Sequence, residues 1–266
     1  MKLSKLGVVG CGNMGGAIVR GVIARKIINP ECVFLNDKDK KKSECLFRET
    51  NGQIKELLPL IKEADIIIVA VKPQDFGEVL EIISKNINGQ TIVSIAAGIT
   101  IKTIIDKIGR QIPVVRVMPN MASFELAGMT CIAFNEEVKN ADEIKNIFLG
   151  IGEVLEVEEH MMDSITALSG SGPAYLFYLA EAMNEAGCAL GLEKDIVKKL
   201  VTQTLYGSAV FMKNTDSSPG DLIKMVASKG GTTSAALSVF TANKMKDIIK
   251  TAILKAKQRS EELSGR

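Results

Sequence analysis

Runs of consecutive aliphatic residues alternate with longer amphipathic segments through the first half of the chain. The run Ile66-Ile67-Ile68-Val69 is the clearest of them, because a strand that is covered on both faces shows no alternation with polar residues. Strands are predicted at Leu6–Gly10, Cys32–Asn36, Ile66–Val71, Thr91–Ile95, Val114–Met118, Met129–Phe134 and Glu153–Val157. Strands that alternate with helices predict an α/β fold, a mostly parallel sheet of Rossmann type.

From about Glu158 onward the period of the apolar positions becomes helical. Three stripes follow it: Leu176, Leu179, Met183, Ala186 and Leu190; Val197, Leu200, Val201, Leu205 and Phe211; Met245, Ile248, Ile249, Ala252, Ile253 and Ala256. We expect these stripes to be core positions of an all-helical half, which could bury its remaining apolar faces by dimerising. The predicted domains are therefore a Rossmann-type domain over 1–158 and a helical dimerisation domain over 159–266.

Composition excludes several classes of function. The chain has 266 residues with 33 Lys and Arg against 31 Asp and Glu, so no nucleic-acid partner is predicted. Its five cysteines are scattered without a CxxC pair, which favours a reduced, cytoplasmic location. No apolar run is long enough for a membrane span. The one histidine, His160, makes a metal site improbable, and we expect it to have an interdomain or surface role.

A glycine-rich segment follows the first predicted strand and opens a helix that runs to about Arg25. It consists of Gly10, Cys11, Gly12, Asn13, Met14 and Gly15, called here the glycine loop. In this context the first glycine permits a tight turn and the second lets the backbone approach a pyrophosphate. The third permits close packing of helix on strand. The glycine loop therefore predicts a nicotinamide dinucleotide site.

Other candidates for the same site lie where later strands end. Asp37, with Asn36 and Lys38 beside it, could accept hydrogen bonds from ribose hydroxyls and favour NADH, or it could cap the next helix. The lysines that follow could instead attract the 2′-phosphate of NADPH, so the choice of cofactor stays open with a slight lean to NADH. Lys72 could lie beside the nicotinamide ribose or in solvent. The further cofactor candidates are Ala70, Val71, Lys72, Pro73, Ala96, Ala97, Gly98, Pro119 and Asn120.

Two clusters of small and hydroxylated residues stand in the helical half. One is Ser169-Gly170-Ser171-Gly172-Pro173, and the other is Ser228-Lys229-Gly230-Gly231-Thr232-Thr233. Free N–H groups at a helix start can bind a small carboxylate. Each cluster could also be an ordinary helix cap.

Both clusters resemble the pyrroline-5-carboxylate reductase family, over Ala167–Tyr175 and Ser228–Thr233. The glycine loop, Val71-Lys72-Pro73, Ala96-Ala97-Gly98 and Arg116-Val117-Met118-Pro119-Asn120 follow the same family pattern, in order, to about Phe240. β-Hydroxyacid dehydrogenases share the glycine loop, but they also resemble one another in a helical-domain lysine. Here no lysine follows Gly172 until Lys194.

The resemblance implies reduction of 1-pyrroline-5-carboxylate to L-proline with NADH or NADPH. It implies a homodimer with interlocked helical domains, sometimes a decamer, and an active site at the subunit interface. By the same resemblance Thr233 is the catalytic residue, facing the ring nitrogen, and Ser228, Gly230, Gly231 and Thr232 bind the substrate carboxylate.

The chain departs from the family pattern near this second cluster. Lys229 stands where the family often has proline, and Lys224 stands where it often has an acidic residue. Met225 lies near a position that is usually polar, and Asp216 takes the place of a glutamate that is common upstream. These departures leave two alternatives: a reductase of another cyclic imine carboxylate, and a non-catalytic dinucleotide-binding paralogue.

Overall fold

The computed structural model describes residues 4–265, in which eight strands form one sheet in the order β3-β2-β1-β4-β5-β6-β7-β8. The strands are β1 Leu6–Val9, β2 Val33–Asn36, β3 Gln53–Ile54, β4 Ile66–Val69, β5 Thr91–Ser94, β6 Val114–Met118, β7 Gly128–Phe134 and β8 Gly152–Glu156. Every neighbouring pair is parallel except β6 and β7, which run antiparallel. The mostly parallel sheet is confirmed. The sequence pattern missed β3, whose two exposed residues are too few to show a period.

Helices cover both faces of this sheet. They are α1 Asn13–Ala24, α2 Lys40–Thr50, α3 Leu57–Glu63, α4 Pro73–Asn86, α5 Ile101–Ile108 and α6 Ala141–Leu149. Successive residues of β4 point to opposite faces, so Ile67 belongs to one hydrophobic core while Ile66 and Ile68 belong to the other. Burial on both faces is why this strand is a continuous aliphatic run.

Beyond the sheet the chain is helical. The helices are α7 Met162–Ile165, α8 Gly172–Ala189, α9 Lys194–Lys213, α10 Pro219–Val226, α11 Thr232–Ala242 and α12 Met245–Leu263. A π-helical turn, Thr166–Gly170, lies between α7 and α8. Within residues 4–265 no helix is both long and apolar enough to cross a membrane.

The described residues form two compact units. The sheet unit contains the residues up to Ser171 together with those from Ala256 on, and the helical unit is Gly172–Lys255. The division into domains 1–158 and 159–266 stays a prediction.

The helical unit exposes most of its apolar side chains. Among its described residues only Val197 and Val201 are buried, while Leu190 is 81% exposed. Leu176, Leu200, Phe211, Ile248 and Ile249 are also exposed large hydrophobic residues. The expectation that all three stripes are core positions is therefore wrong for the single chain. Exposed apolar area on this scale is typical of a surface that another protein chain covers.

Candidate active site

The three glycines of the glycine loop occupy three different environments. Gly10 has φ of +105°, and a Cβ there would lie 2.5 Å from the Ala70 carbonyl oxygen. A Cβ at Gly15 would collide with the Gly10 carbonyl oxygen. At Gly12, by contrast, no described atom lies within 4 Å of an added Cβ. The chain's own packing therefore requires the first and third glycines, whereas the second faces open space.

The amino end of α1 opens into that space. Gly12 is the N-cap residue of this helix, and no described side chain caps it. The first N–H groups of a helix have no partner inside the helix and carry its positive dipole end. Open space in front of them is what a pyrophosphate requires, so the residues present fit a dinucleotide.

Asp37 holds the glycine loop from the end of β2. Its Oδ2 accepts a hydrogen bond from the backbone N–H of Cys11 at 2.7 Å, and its Oδ1 accepts one from Asp39 N at 2.8 Å. The N-cap of α2 is Asp39, which accepts from Lys41 N at 3.1 Å. The alternative that Asp37 caps the helix is therefore wrong.

Lys38, a candidate for attracting a 2′-phosphate, is paired with an acid. Its Nζ lies 2.7 Å from Asp75 Oδ1 at the start of α4. The hydrogen bond from Asp75 raises the pKa of Lys38 above its ordinary value. A cation already paired in this way attracts a further anion less strongly, whereas Lys42, another of the lysines that follow Asp37, also lines the cleft described next.

A cleft of about 590 Å³ lies at the carboxyl ends of β1, β2 and β4. Of the cofactor candidates, the structure brings together Gly10, Gly12, Asn13, Asn36, Asp37, Lys38, Ala70, Val71 and Lys72 along its walls. Ligands of parallel α/β sheets bind at this edge. A second cleft of about 610 Å³ lies at the opposite edge, beside Asp65, Gln90 and Pro113. It is not where such folds bind ligands.

Several candidates do not line the cleft. They are Met14, Gly15, Pro73, Ala96, Ala97, Gly98, Pro119 and Asn120. Gly98 has φ of +78°, and a Cβ there would lie 3.0 Å from the Leu263 carbonyl oxygen. Asn120 accepts a hydrogen bond from Met129 N at 3.2 Å and donates one to Ser169 Oγ at 3.4 Å. Gly98 and Asn120 thus have structural contacts of their own.

In the helical unit, residues Ser228–Thr233, called here the substrate turn, precede and begin α11. The carbonyl of Ser228 accepts hydrogen bonds from Gly231 N at 3.1 Å and from Ser234 Oγ at 2.6 Å. Gly230 has φ of +73°, which closes the turn. No described side chain caps α11, whose N-cap residue is Gly231. The free N–H groups beside the hydroxyls of Thr232 and Thr233 suit a small carboxylate.

The other cluster begins in the π-helical turn Thr166–Gly170 and ends in the first residues of α8. Ser171 N donates to the Thr166 carbonyl at 2.9 Å, five residues back. Such turns are rare and often occur at functional sites. Ser169, in this turn, is the residue that accepts the hydrogen bond from Asn120.

Comparison with known proteins matches both halves of the chain. Residues 159–263 match the family model of the pyrroline-5-carboxylate reductase dimerisation domain, and residues 5–98 match that of the coenzyme F420-dependent NADP oxidoreductases. Pyrroline-5-carboxylate reductase 2 of Bacillus subtilis is 32% identical over 98% of this chain and 95% of its own length. The chain belongs to the pyrroline-5-carboxylate reductase family.

Further members of the family agree with this assignment. The Escherichia coli pyrroline-5-carboxylate reductase is 34% identical over 98% of both chains. The reductase structure from Coxiella burnetii has a TM-score of 0.92 at 32% identity, covering 99% of both chains. The Plasmodium falciparum reductase, solved with NADP bound, has a TM-score of 0.89 at 31% identity, also covering 99% of both chains.

Sequence reasoning missed one wall of the cleft. Asp75, Glu78, Val79 and Ile82 of α4 line it. Their spacing of three and four residues places them on one face of a helix. The helix α4 starts at Pro73, two residues after the predicted strand end at Val71. That spacing was a usable signal, because a helix after a strand begins at the same sheet edge as the glycine loop.

Two further side chains of this reductase-family chain, Cys11 and His160, could in principle react. Burial raises the pKa of the Cys11 thiol to about 12, helped by the Asp37 carboxylate, so this thiol is not a nucleophile near neutral pH. The His160 imidazole is exposed and lies 3.0 Å from Glu158. In the described part of the chain, no three His, Cys, Asp or Glu side chains are grouped to hold a metal ion.

Proposed function

We propose that this chain reduces 1-pyrroline-5-carboxylate to L-proline with NADH or NADPH. The observation that carries the proposal is the match with named reductases over 98% of the chain, which spans both the glycine loop and the substrate turn. Its location is proposed to be cytoplasmic, since its scattered cysteines suit a reducing compartment.

The glycine loop would hold the dinucleotide in the cleft. Backbone N–H groups at the start of α1 would bind the pyrophosphate, with Gly12 leaving the room for it. Asp37 would face the adenosine ribose. Lys72, at the amino end of α4 and on the wall of the cleft, would lie near the nicotinamide half. The bound cofactor supplies the hydride that is added to the imine carbon.

The substrate turn would bind the imine. Its carboxylate would accept hydrogen bonds from the N–H groups at the start of α11 and from Ser228 and Thr232. The imine nitrogen is partly protonated near neutral pH, so the carbon beside it is already electrophilic. Thr233 would donate a hydrogen bond to that nitrogen, or relay a proton to it, and so orient the ring. Holding the two reactants in place supplies about 7–11 kcal/mol of the barrier reduction.

Self-association is part of the proposal. The helical unit matches a dimerisation model over residues 159–263 and exposes large apolar side chains such as Tyr178 and Leu190. A second copy of the chain would cover them. We propose a homodimer as the basic assembly and a decamer of five such dimers as its larger form, with each active site completed at the subunit interface.

The test is a spectrophotometric assay of the purified protein with 1-pyrroline-5-carboxylate. Loss of NADH or NADPH absorbance together with formation of L-proline is expected. A piperideine carboxylate, the six-membered homologue, is the comparison substrate. Faster turnover of the homologue would show that the six-membered imine, and not 1-pyrroline-5-carboxylate, is the preferred substrate. Tight dinucleotide binding without turnover of either imine would assign the chain to the non-catalytic paralogues.

A further inference from the structure

The end of α12 packs on the loop that connects β5 to α5. This loop contains Ala96, Ala97 and Gly98 and follows the carboxyl end of β5, the neighbour of β4, beyond whose end Ala70 and Val71 line the cleft. The backbone and Cβ of Leu263 lie 3.0–3.1 Å from the position that a Cβ on Gly98 would occupy. Since Gly98 also has φ of +78°, this contact and this conformation both need glycine.

Five polar side chains join the same two segments. They are called here the carboxyl-terminal cluster: Arg116, Glu159, Asp163, Ser260 and Ser264. Asp163 Oδ1 accepts hydrogen bonds from Ser260 Oγ at 2.9 Å and from Ser264 Oγ at 3.0 Å. Arg116 lies 3.5 Å from the same oxygen. Asp163 and Arg116 are 2% and 3% exposed, so these contacts form inside the sheet unit.

The cluster reaches the other end of the loop through Glu159. Its Oε1 accepts a hydrogen bond from Ile101 N, the first residue of α5, at 2.7 Å, and lies 3.4 Å from Arg116 Nη1. The loop is therefore held at Gly98 by Leu263 and at Ile101 by Glu159. Arg116 connects the two contacts, because it lies 3.4 Å from Glu159 and 3.5 Å from Asp163, and Asp163 in turn accepts hydrogen bonds from Ser260 and Ser264.

We propose that Ser260, Leu263 and Ser264 are positioning residues for dinucleotide binding, acting through the loop Ala96–Gly98. The inference rests on the proposed function for one step: a dinucleotide bound in the cleft extends from the end of β4 to this loop at the end of the neighbouring strand β5. A buried hydrogen-bond network keeps one geometry because an unpaired member is costly. The end of α12 thus sets where the loop stands before the cofactor arrives, and no side chain of α12 need touch the cofactor.

The experiment uses the full chain with Ser260→Ala and Ser264→Ala combined. NADH affinity is measured by fluorescence titration without imine, and kcat and KM for NADH are measured with it. We expect the Kd and KM for NADH to rise about three- to thirtyfold while kcat at saturating NADH stays within twofold of the parent. Two single variants that keep Ser260 complete the series. Ser264→Thr keeps a hydroxyl at this half-buried position, so its affinity for NADH should be closer to that of the parent than the affinity of Ser264→Ala is.

Glu262→Ala is the matched control. Its carboxylate is in the same last turn of α12 but contacts Arg259 at 2.8 Å rather than Asp163. It should leave the NADH affinity unchanged. The inference would be overturned if the double serine variant bound NADH with the same Kd as the parent, whether or not its Tm fell. It would also be overturned if Glu262→Ala raised the Kd as much as the double serine variant does.

If the double serine variant does not fold, the single variant Ser264→Ala supplies the same titration, because it still removes one hydrogen bond to Asp163. An unchanged Kd there also overturns the inference. Failure of the proposed function looks different. In that case the parent chain would not turn over pyrroline-5-carboxylate, while the titration would still report whether α12 positions the loop.

Discussion

The carboxylate of Asp37 accepts a hydrogen bond from the backbone N–H of Cys11, 2.7 Å away across the mouth of the cleft. The acid at the end of β2 is thereby held against the glycine loop. Lys38, the next residue, is paired with Asp75, while Lys42 also lines the cleft. The mouth of the cleft therefore carries both an acid suited to ribose hydroxyls and a lysine suited to a 2′-phosphate.

Replacing Asp37 should change the choice of cofactor. Asp37→Ser removes the charge and the ribose acceptor, so the ratio of kcat/KM for NADPH to that for NADH should rise roughly ten- to hundredfold, the equivalent of one charged hydrogen bond. Steady-state rates with both cofactors measure this ratio. Asp39→Asn is the control, because it removes a charge two residues away and keeps the helix cap. An unchanged ratio in Asp37→Ser would remove Asp37 from cofactor selection.

Substitutions at two glycines of the glycine loop should affect different properties, cofactor binding at Gly12 and stability at Gly10. Gly12→Ala places a methyl group in open space, so the Tm should not fall, but kcat/KM should drop about a hundredfold because the dinucleotide is displaced. Gly10→Ala should instead lower the free energy of unfolding by more than about 1 kcal/mol, since it forces a left-handed conformation and a contact with the Ala70 carbonyl. Calorimetry and NADH titration on both variants make the comparison. Tight NADH binding by Gly12→Ala would place the pyrophosphate elsewhere.

Thr233→Ala should slow the reaction without unfolding the helix. Loss of a hydrogen bond to a nitrogen that carries charge should lower kcat/KM for the imine about ten- to hundredfold, with NADH affinity unchanged. Thr241→Ala in the same helix is the control, because its hydroxyl bonds only the Leu237 carbonyl at 2.9 Å. Full activity in Thr233→Ala would exclude Thr233 from the reaction.

Lys229 should strengthen substrate binding through its charge. Among residues 4–265 it forms no ion pair, whereas nearby Lys224 is paired with Asp221 at 2.7 Å. Lys229→Ala should therefore raise KM for the imine about two- to fivefold, the usual effect of one charge near a helix end, and KM should become less sensitive to salt. Equal KM values at low salt would show that Lys229 points away from the substrate.

The sequence predicted seven of the eight strands, most of them because they are continuous apolar runs. Nine of the residues it singled out line the cleft, because they end or follow these strands. Contacts between distant segments left no pattern to find. Ser260 and Asp163 are 97 residues apart in the chain, and neither belongs to a motif. The helical stripes failed for a different reason: periodicity reveals an apolar face but not whether the same chain or another one covers it.

The exposed stripe on α9 gives the prediction for assembly. Leu200→Asp and Phe211→Asp place a charge on this face and should shift the protein from dimer toward monomer in sedimentation experiments, because burying an unpaired charge is costly. Lys198→Asp is the control, since helical periodicity puts it about 160° from Leu200 around α9. A monomeric parent protein, or dissociation caused equally by Lys198→Asp, would contradict the expected interface.

The sheet unit is not continuous along the chain, because it takes in the residues from Ala256 on as well as those before Ser171. During synthesis on a ribosome, the nucleotide-binding half therefore emerges first but cannot close its buried Asp163 site until the whole helical half has been made. Nascent chains would hold Arg116 and Asp163 without their serine partners for that interval. The part of the chain that is synthesised first thus completes its folding only when one of the last segments to be synthesised packs against it.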